Sequence, residues 1–209
     1  AVSATPESID PALLKGLGPY KLLLSNTRFL MACHVKGLEN IVRYGLTTWV
    51  PIYYFEEGGL SIESTVLLTI LLPVGYLIAP PAAGIFSDRY LGSRRQPMIF
   101  FSCSVSAVVL VGVAFAPPVN ITIGAILMFV GGLSMGLSSI NSVAVDIAGR
   151  HMSGTALGIM SAHGYAYAGA QALIFAAVLD MAGSPWPIVF LAMAATRVLS
   201  ALLISRVNV

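Results

Sequence analysis

A chain of 209 residues that is 57% hydrophobic and 10% charged has too little polar surface to clothe a water-soluble globule, where about 25% of residues are charged. Its 11 Lys and Arg against 9 Asp and Glu leave a net charge of +2, with no basic tract to bind nucleic acid. Cys33 and Cys103 both fall inside apolar runs as small buried hydrophobes, so neither a disulfide framework nor a CxxC metal site is expected, and no cofactor motif is present.

Taken in chain order, residues 1–28 read as a cytoplasmic linker. Pro6, Pro11, Gly16, Gly18 and Pro19 interrupt it, and it lacks the basic start, apolar stretch and cleavage site of a signal peptide. With no initiating methionine, the expectation is the second part of something longer. Residues 29–209 hold six apolar runs, each near the 20 or so residues needed to cross a bilayer: Phe29–Pro51, Ser64–Phe86, Pro97–Ala116, Ile121–Ala144, Gly154–Leu179 and Pro187–Ser205. Turn formers fill the short connectors, as at Gly58-Gly59, Pro117-Pro118 and Gly183-Ser184-Pro185. The fold class expected is an all-α integral membrane bundle of six transmembrane helices.

Charge placement orients it. Lys15, Lys21 and Arg28 precede the first run; Arg89, Arg94 and Arg95 lie between the second and third, Arg150 between the fourth and fifth, and Arg206 after the sixth. The alternate connectors carry only Glu56, Glu57, Glu63 and Asp180. The positive-inside rule puts both termini in the cytoplasm.

Three basic residues remain inside the runs: Lys36, Arg43 and Arg197. Lys36, Glu39, Asn40, Arg43 and Thr47 recur at helical spacing and fall on one stripe, with His34 on the opposite side. Ionisable groups at membrane depth usually face a protein interior or a water-filled cavity, so the stripe reads as a pathway lining with Lys36, Glu39, Asn40 and Arg43 as substrate-binding candidates. The alternative is a self-neutralising ladder in which Glu39 pairs with Arg43 at i,i+4 and with Lys36 at i,i+3. Arg197, isolated in the last run, is expected to reach its long stem toward the cytoplasmic headgroups. The fifth run adds His163, Tyr165 and Tyr167 as candidates, with Gln171; His163, Tyr167 and Gln171 share a face. Small-residue packing is the competing reading there. Gly132-Leu133-Ser134-Met135-Gly136 satisfies G-x-S-x-G, but that pattern marks a nucleophile only on a strand-to-helix elbow, and no strand is expected. An intramembrane serine protease is therefore a remote alternative.

The connector Gly84-Ile85-Phe86-Ser87-Asp88-Arg89-Tyr90-Leu91-Gly92-Ser93-Arg94-Arg95 resembles the G-x-x-x-D-[RK]-x-G-[RK]-[RK] signature of the major facilitator superfamily, with one residue inserted before the glycine. Arg43-Tyr44-Gly45-Leu46-Thr47-Thr48-Trp49-Val50-Pro51-Ile52-Tyr53 resembles the R-Y-G-x-x-x-W-x-P-x-Y segment of its organophosphate:phosphate antiporters. Asp146 through Ala156 is similar to that branch's acidic–basic–Gly-Thr-Ala loop, and Gly164-Tyr165 to its G-Y pair. The resemblance implies the C-terminal half of a twelve-helix carrier of a phosphorylated metabolite, moved by alternating access in exchange for inorganic phosphate, with an N-terminal six-helix half as partner and the cell membrane, bacterial inner membrane in a bacterium, as location. It implies that Arg43 grips the phosphate with its planar fork of donors. Asp88 ends the second run on the side where the fifth begins, and since a helix start favours a nearby anion, Asp88 with Arg89, Arg94 and Arg95 is expected to form a conformational clasp. Lys36 and Glu39 stand outside the branch's pattern, and Pro73 replaces a frequent glutamate. Those departures leave open a proton- or cation-coupled carrier of a non-phosphorylated anion, or a transporter-like receptor.

Overall fold

The computed structural model describes residues 16–90, 95–138, 140–181 and 186–207, without the side chains at 86–88 and 90. The described residues form helices: α1 (Gly18–Leu24), α2 (Thr27–Glu56), α3 (Ile62–Thr69), α4 (Leu71–Tyr90), α5 (Gln96–Phe115), α6 (Ile121–Gly136), α7 (Ile140–Ala148), α8 (Ser153–Leu179) and α9 (Trp186–Ile204). Where starts are capped, the sequence supplies the oxygen. Asn26 Oδ1 accepts from Arg28 N at 3.0 Å and Phe29 N at 3.2 Å, and Asn120 Oδ1 accepts from Ile123 N at 3.1 Å, satisfying otherwise orphaned donors.

Four boundaries differ from the sequence reading. The linker stretch contains α1, anchored by buried Pro19 and Leu23. The first run does not stop at Pro51, because α2 continues to Glu56. An interior proline costs about 3 kcal/mol; the aromatic packing beyond it offsets that, with the Tyr53 ring 5.4 Å from Trp186 and 5.0 Å from Phe190. The second run is broken between α3 and α4 at Ile70, where Pro73 lacks the N–H that Thr69 C=O would accept. The fourth run also divides. Leu137 N and Ser138 N turn back onto Leu133 and Met135 carbonyls at 3.1 and 3.2 Å, after Gly131, Gly132 and Gly136 have weakened the helix.

Five helical stretches are long and apolar enough to cross a membrane: Ile62–Ile85, Gln96–Phe115, Ile121–Ala148, Ser153–Leu179 and Trp186–Ile204. α2 has the length, at 30 residues, but Lys36, Glu39, Asn40 and Arg43 dilute its hydropathy. Leu67, Leu77, Val108, Phe115, Leu173 and Leu202 point outward, as expected where hydrocarbon rather than water is the solvent.

α4 packs on α6, α5 on α9, α2 on α8 and α9, and α5 on α6. The pairing maps onto itself when α2, α3–α4 and α5 are exchanged with α6–α7, α8 and α9. The α2–α8 contact answers α4–α6, and α2–α9 answers α5–α6. The α4–α6 contact is backbone on backbone: a Cβ at Gly132 would sit 2.0 Å from Leu72 O, so only glycine admits this approach.

The apolar core comes in two parts. One gathers Val42, Leu46, Tyr53, Leu110, Met128, Phe190 and Met193; the other gathers Phe29, Cys33, Ile99, Cys103, Ile140, Met160 and Ile204. Along α2, α5 and α9 a buried polar layer falls between them: Lys36, Glu39 and Asn40, then Ser102 and Ser106, then Arg197 and Ser200, with Ser134 of α6 joining it.

Candidate functional site

The structure divides the polar stripe of α2. Lys36, Glu39 and Asn40 are buried within the chain's own packing, at 8%, 3% and 3% exposure. Lys36 Nζ lies 3.9 Å from Glu39 Oε2, too long for a hydrogen bond, and Glu39 Oε2 has no other partner among the described residues. Asn40 and Lys36 press on α8 at Gly164, where a Cβ would meet Asn40 Nδ2 at 2.6 Å and Lys36 Cγ at 3.3 Å. Thr47 is exposed, its hydroxyl donating to Arg43 O at 2.8 Å.

Arg43 alone of the charged stripe residues lines a cleft. This space, about 480 Å³, is walled by Arg43, Tyr44 and Thr47 of α2, Thr69 of α3, Pro73 and Tyr76 of α4, and Met128, Gly132 and Met135 of α6. Arg43 Cζ lies 4.3 Å from the Tyr76 ring centroid and 5.9 Å from that of Tyr44. A cation over an aromatic face at this range gains about 0.5–2 kcal/mol. Among the described residues no carboxylate pairs with Arg43. The i,i+4 bond from Glu39 is absent, because Glu39 points into the buried layer while Arg43 points into the cleft. A cation with five donors and no anion beside it among the described residues is equipped to hold an anion entering from outside.

The fifth-run candidates sort differently. Tyr167 lies over Gly37 of α2, its ring atoms 2.7–2.9 Å from where a Cβ would stand, and its hydroxyl meets His34 Nδ1 at 2.9 Å. His163 Nε2 lies 3.4 Å from the same His34 nitrogen. So His34, across α2 from the stripe, faces the α8 group, a cross-helix contact that periodicity within one helix does not reveal. Tyr165 is exposed and pairs with Tyr44, centroids 5.9 Å apart. Gln171 is buried and accepts from Trp49 Nε1 at 3.3 Å, a packing role.

Arg197 does not reach the headgroups. It is fully buried, with Nη2 donating to Ser102 Oγ at 3.2 Å, while Nε and Nη1 have no partner among the described residues. The α5–α9 contact covers its stem before it can reach a surface. Ser134 likewise is no nucleophile: it sits inside α6, its hydroxyl donating to Gly131 O at 2.8 Å and meeting Ser106 Oγ at 2.8 Å, while His163 is engaged by His34. Of the clasp candidates, Arg94 and the side chain of Asp88 lie outside the described residues and Arg89 is exposed. Arg95 Nε donates to Asp146 Oδ2 of α7 at 2.9 Å, joining the start of α5 to the acidic residue that opens the 146–156 motif.

These features define an α-helical membrane protein with a cationic, aromatic-walled cleft. The family model of the Major Facilitator Superfamily matches residues 4–172 and, in a second alignment, 38–208; the chain belongs to that superfamily and is a multi-pass membrane protein. It is 30% identical over 149 residues to the glycerol-3-phosphate transporter of Bacillus subtilis (strain 168), a match covering 70% of this chain and 33% of that protein. It is 32% identical over 115 residues to the hexuronate transporter of the same organism, covering 52% and 27%. The chain thus spans about a third of the length of the curated relatives it matches, and those relatives are transporters, not enzymes. Among solved structures, the Escherichia coli fucose:proton symporter superposes with a TM-score of 0.80 at 14% identity, over 96% of this chain and 47% of that one, a likeness of fold.

Proposed function

We propose that the chain forms the C-terminal half of a secondary carrier for a small organic anion, a phosphorylated metabolite exchanged for inorganic phosphate. On this reading α2, α3–α4, α5, α6–α7, α8 and α9 are six membrane crossings, residues 1–28 lead in from the cytoplasm, both termini lie there, and a second six-helix half closes the cleft. The observation that carries the proposal is the Arg43 guanidinium, held on the Tyr76 ring with no counter-ion among the described residues. The glycerol-3-phosphate transporter relative supports a phosphate ester as its anion. Tyr165, beside Tyr44 on the same side of the bundle, extends the site, and Lys36, Glu39, Asn40, His163 and Tyr167 support it from within. Rocking of the two halves about this site supplies alternating access. Arg95 and Asp146, with Asp88, Arg89 and Arg94, form the clasp.

The hexuronate relative favours a second reading, a sugar carboxylate carried with a cation, on the same arginine. Proteoliposomes of the intact carrier, preloaded with glycerol 3-phosphate, inorganic phosphate or glucuronate, separate the two. Counterflow with both phosphate species supports the first, counterflow with glucuronate alone the second, and none with any anion overturns both.

A further inference from the structure

The cleft that holds Arg43 is charged at one point and apolar around it. The buried side chains of Leu46 and Val50 of α2, Leu72 of α4 and Met128 and Met135 of α6 line its depth, and the exposed Val66 of α3 lines its edge. Among the described residues of the lining, Arg43 is the one that carries a charge.

The other polar groups of the lining are few and largely engaged. The Thr47 hydroxyl donates to Arg43 O at 2.8 Å and the Thr69 hydroxyl to Thr65 O at 2.8 Å, each back onto its own helix. Pro51 and Pro73, also in the lining, have no N–H to give. The side-chain donors that remain are the Arg43 guanidinium and the Tyr44 and Tyr76 hydroxyls, and both rings lie beside that guanidinium, their centroids 5.9 and 4.3 Å from Cζ. Donors thus gather at one place. Val50 is a further seven residues along α2, about 10.5 Å at 1.5 Å per residue, so the apolar wall extends well past them.

Resting on the carrier reading above, we propose that this site selects organic anions in which one charged head is joined to an apolar body, aliphatic or aromatic, over polyols of the same size. The head, phosphate or carboxylate, meets Arg43, and the body lies against the walls of α2, α3, α4 and α6. A hydroxyl carried onto those walls leaves water and finds little to bond. Each one left unpartnered lowers affinity by about five- to a hundredfold, whereas each methylene buried there raises it by about fourfold. The volume of about 480 Å³ is that of a small-molecule site and leaves room for a ring beyond the head. Neither glycerol 3-phosphate nor glucuronate has such a body; the arginine fixes the head and the walls choose the rest.

The test uses the intact carrier and two matched pairs of anions, glycerol 3-phosphate against n-propyl phosphate and glucuronate against cyclohexanecarboxylate. Each pair keeps the head and the carbon frame size and removes the hydroxyls. Affinity is measured by isothermal titration in detergent, and counterflow is recorded in proteoliposomes. In whichever pair has the head that binds, the hydroxyl-free member should bind at least about fivefold more tightly. Val66→Asn, which places an amide on the exposed edge of the wall, should cut that preference at least about threefold. A wild-type preference below fivefold, or one for the hydroxylated member, overturns the proposal, and counterflow with either hydroxylated anion then leaves the carrier reading standing. A preference that Val66→Asn leaves unchanged puts the body on another wall and overturns the proposal as well. Neither binding nor counterflow with any of the four anions removes the carrier reading and this one with it.

Discussion

Glu39 Oε2 lies 3.9 Å from Lys36 Nζ and makes no ion pair with Arg43, although Arg43 is one helical turn further along α2. The two cations of the stripe thus have separate roles. Lys36 is a buried charge needing its neighbour; Arg43 is a half-buried charge in a cleft.

Glu39→Gln should therefore weaken the fold rather than tighten anion binding. Removing one member of a buried pair costs about 3–5 kcal/mol because it strands the other. The thermal midpoint of the detergent-solubilised carrier should fall, and Lys36→Met added to Glu39→Gln should recover most of the loss. Anion affinity, measured by isothermal titration with glycerol 3-phosphate, should stay within about threefold, since Arg43 keeps its surroundings. A rise of tenfold or more in affinity would show Glu39 competing for Arg43 after all.

The Tyr76 ring orients the arginine. Tyr76→Phe keeps the aromatic face and should leave anion affinity nearly unchanged. Tyr76→Leu loses about 0.5–2 kcal/mol of cation–π contact and should weaken binding by about 2- to 30-fold. Arg43→Lys should abolish most transport while retaining the charge, because an ammonium lacks the planar fork of donors. Transport by Arg43→Lys near the wild-type rate would show that a point charge suffices and that the fork has no role.

Arg197 and Ser102 offer a stability test inside the polar layer. Ser102→Ala removes the guanidinium's one described side-chain partner, leaving a more deeply unsatisfied buried charge, and should cost about 1–3 kcal/mol. Arg197→Met fills the same space with an apolar chain and should be neutral or stabilising, as replacement of buried charges often is. Thermal unfolding of both variants, followed by fluorescence, decides this. If Arg197→Met is the more destabilised of the two, the guanidinium is better satisfied than its contacts indicate.

Much of this architecture is legible in the residues because lipid imposes long apolar runs, and Arg43 stands out because a charge in such a run is costly. What escapes is non-local. Tyr76 and His34 acquire their roles only when α4 and α8 come to lie against α2, and no spacing within one run encodes that. Arg197 reads as a snorkelling residue from its own run alone, because its serine partner sits 95 residues away. The breaks at Ile70 and after Gly136 are signalled only by Pro73 and by glycines, and such residues do not decide alone, since Pro51, Pro80 and Pro81 stand inside continuous helices.

The Arg95–Asp146 bridge separates stability from motion. Its side chains are 35% and 40% exposed, so it should contribute only about 0–1 kcal/mol to folding, and Arg95→Gln or Asp146→Asn should barely move the thermal midpoint. If the bridge serves as a clasp, however, each substitution biases the equilibrium between cleft-open and cleft-closed states, and a bias of 1.4 kcal/mol is tenfold in population. Transport should then slow several-fold in both single variants, with anion affinity in the favoured state preserved. The exchange Arg95→Asp with Asp146→Arg rebuilds the ion pair with reversed polarity and should restore the rate. Initial-rate uptake across these three variants is the measurement. A double exchange as slow as the singles would mean that the residues act separately, Arg95 through membrane headgroups and Asp146 through its own loop, and that the contact between them holds nothing shut.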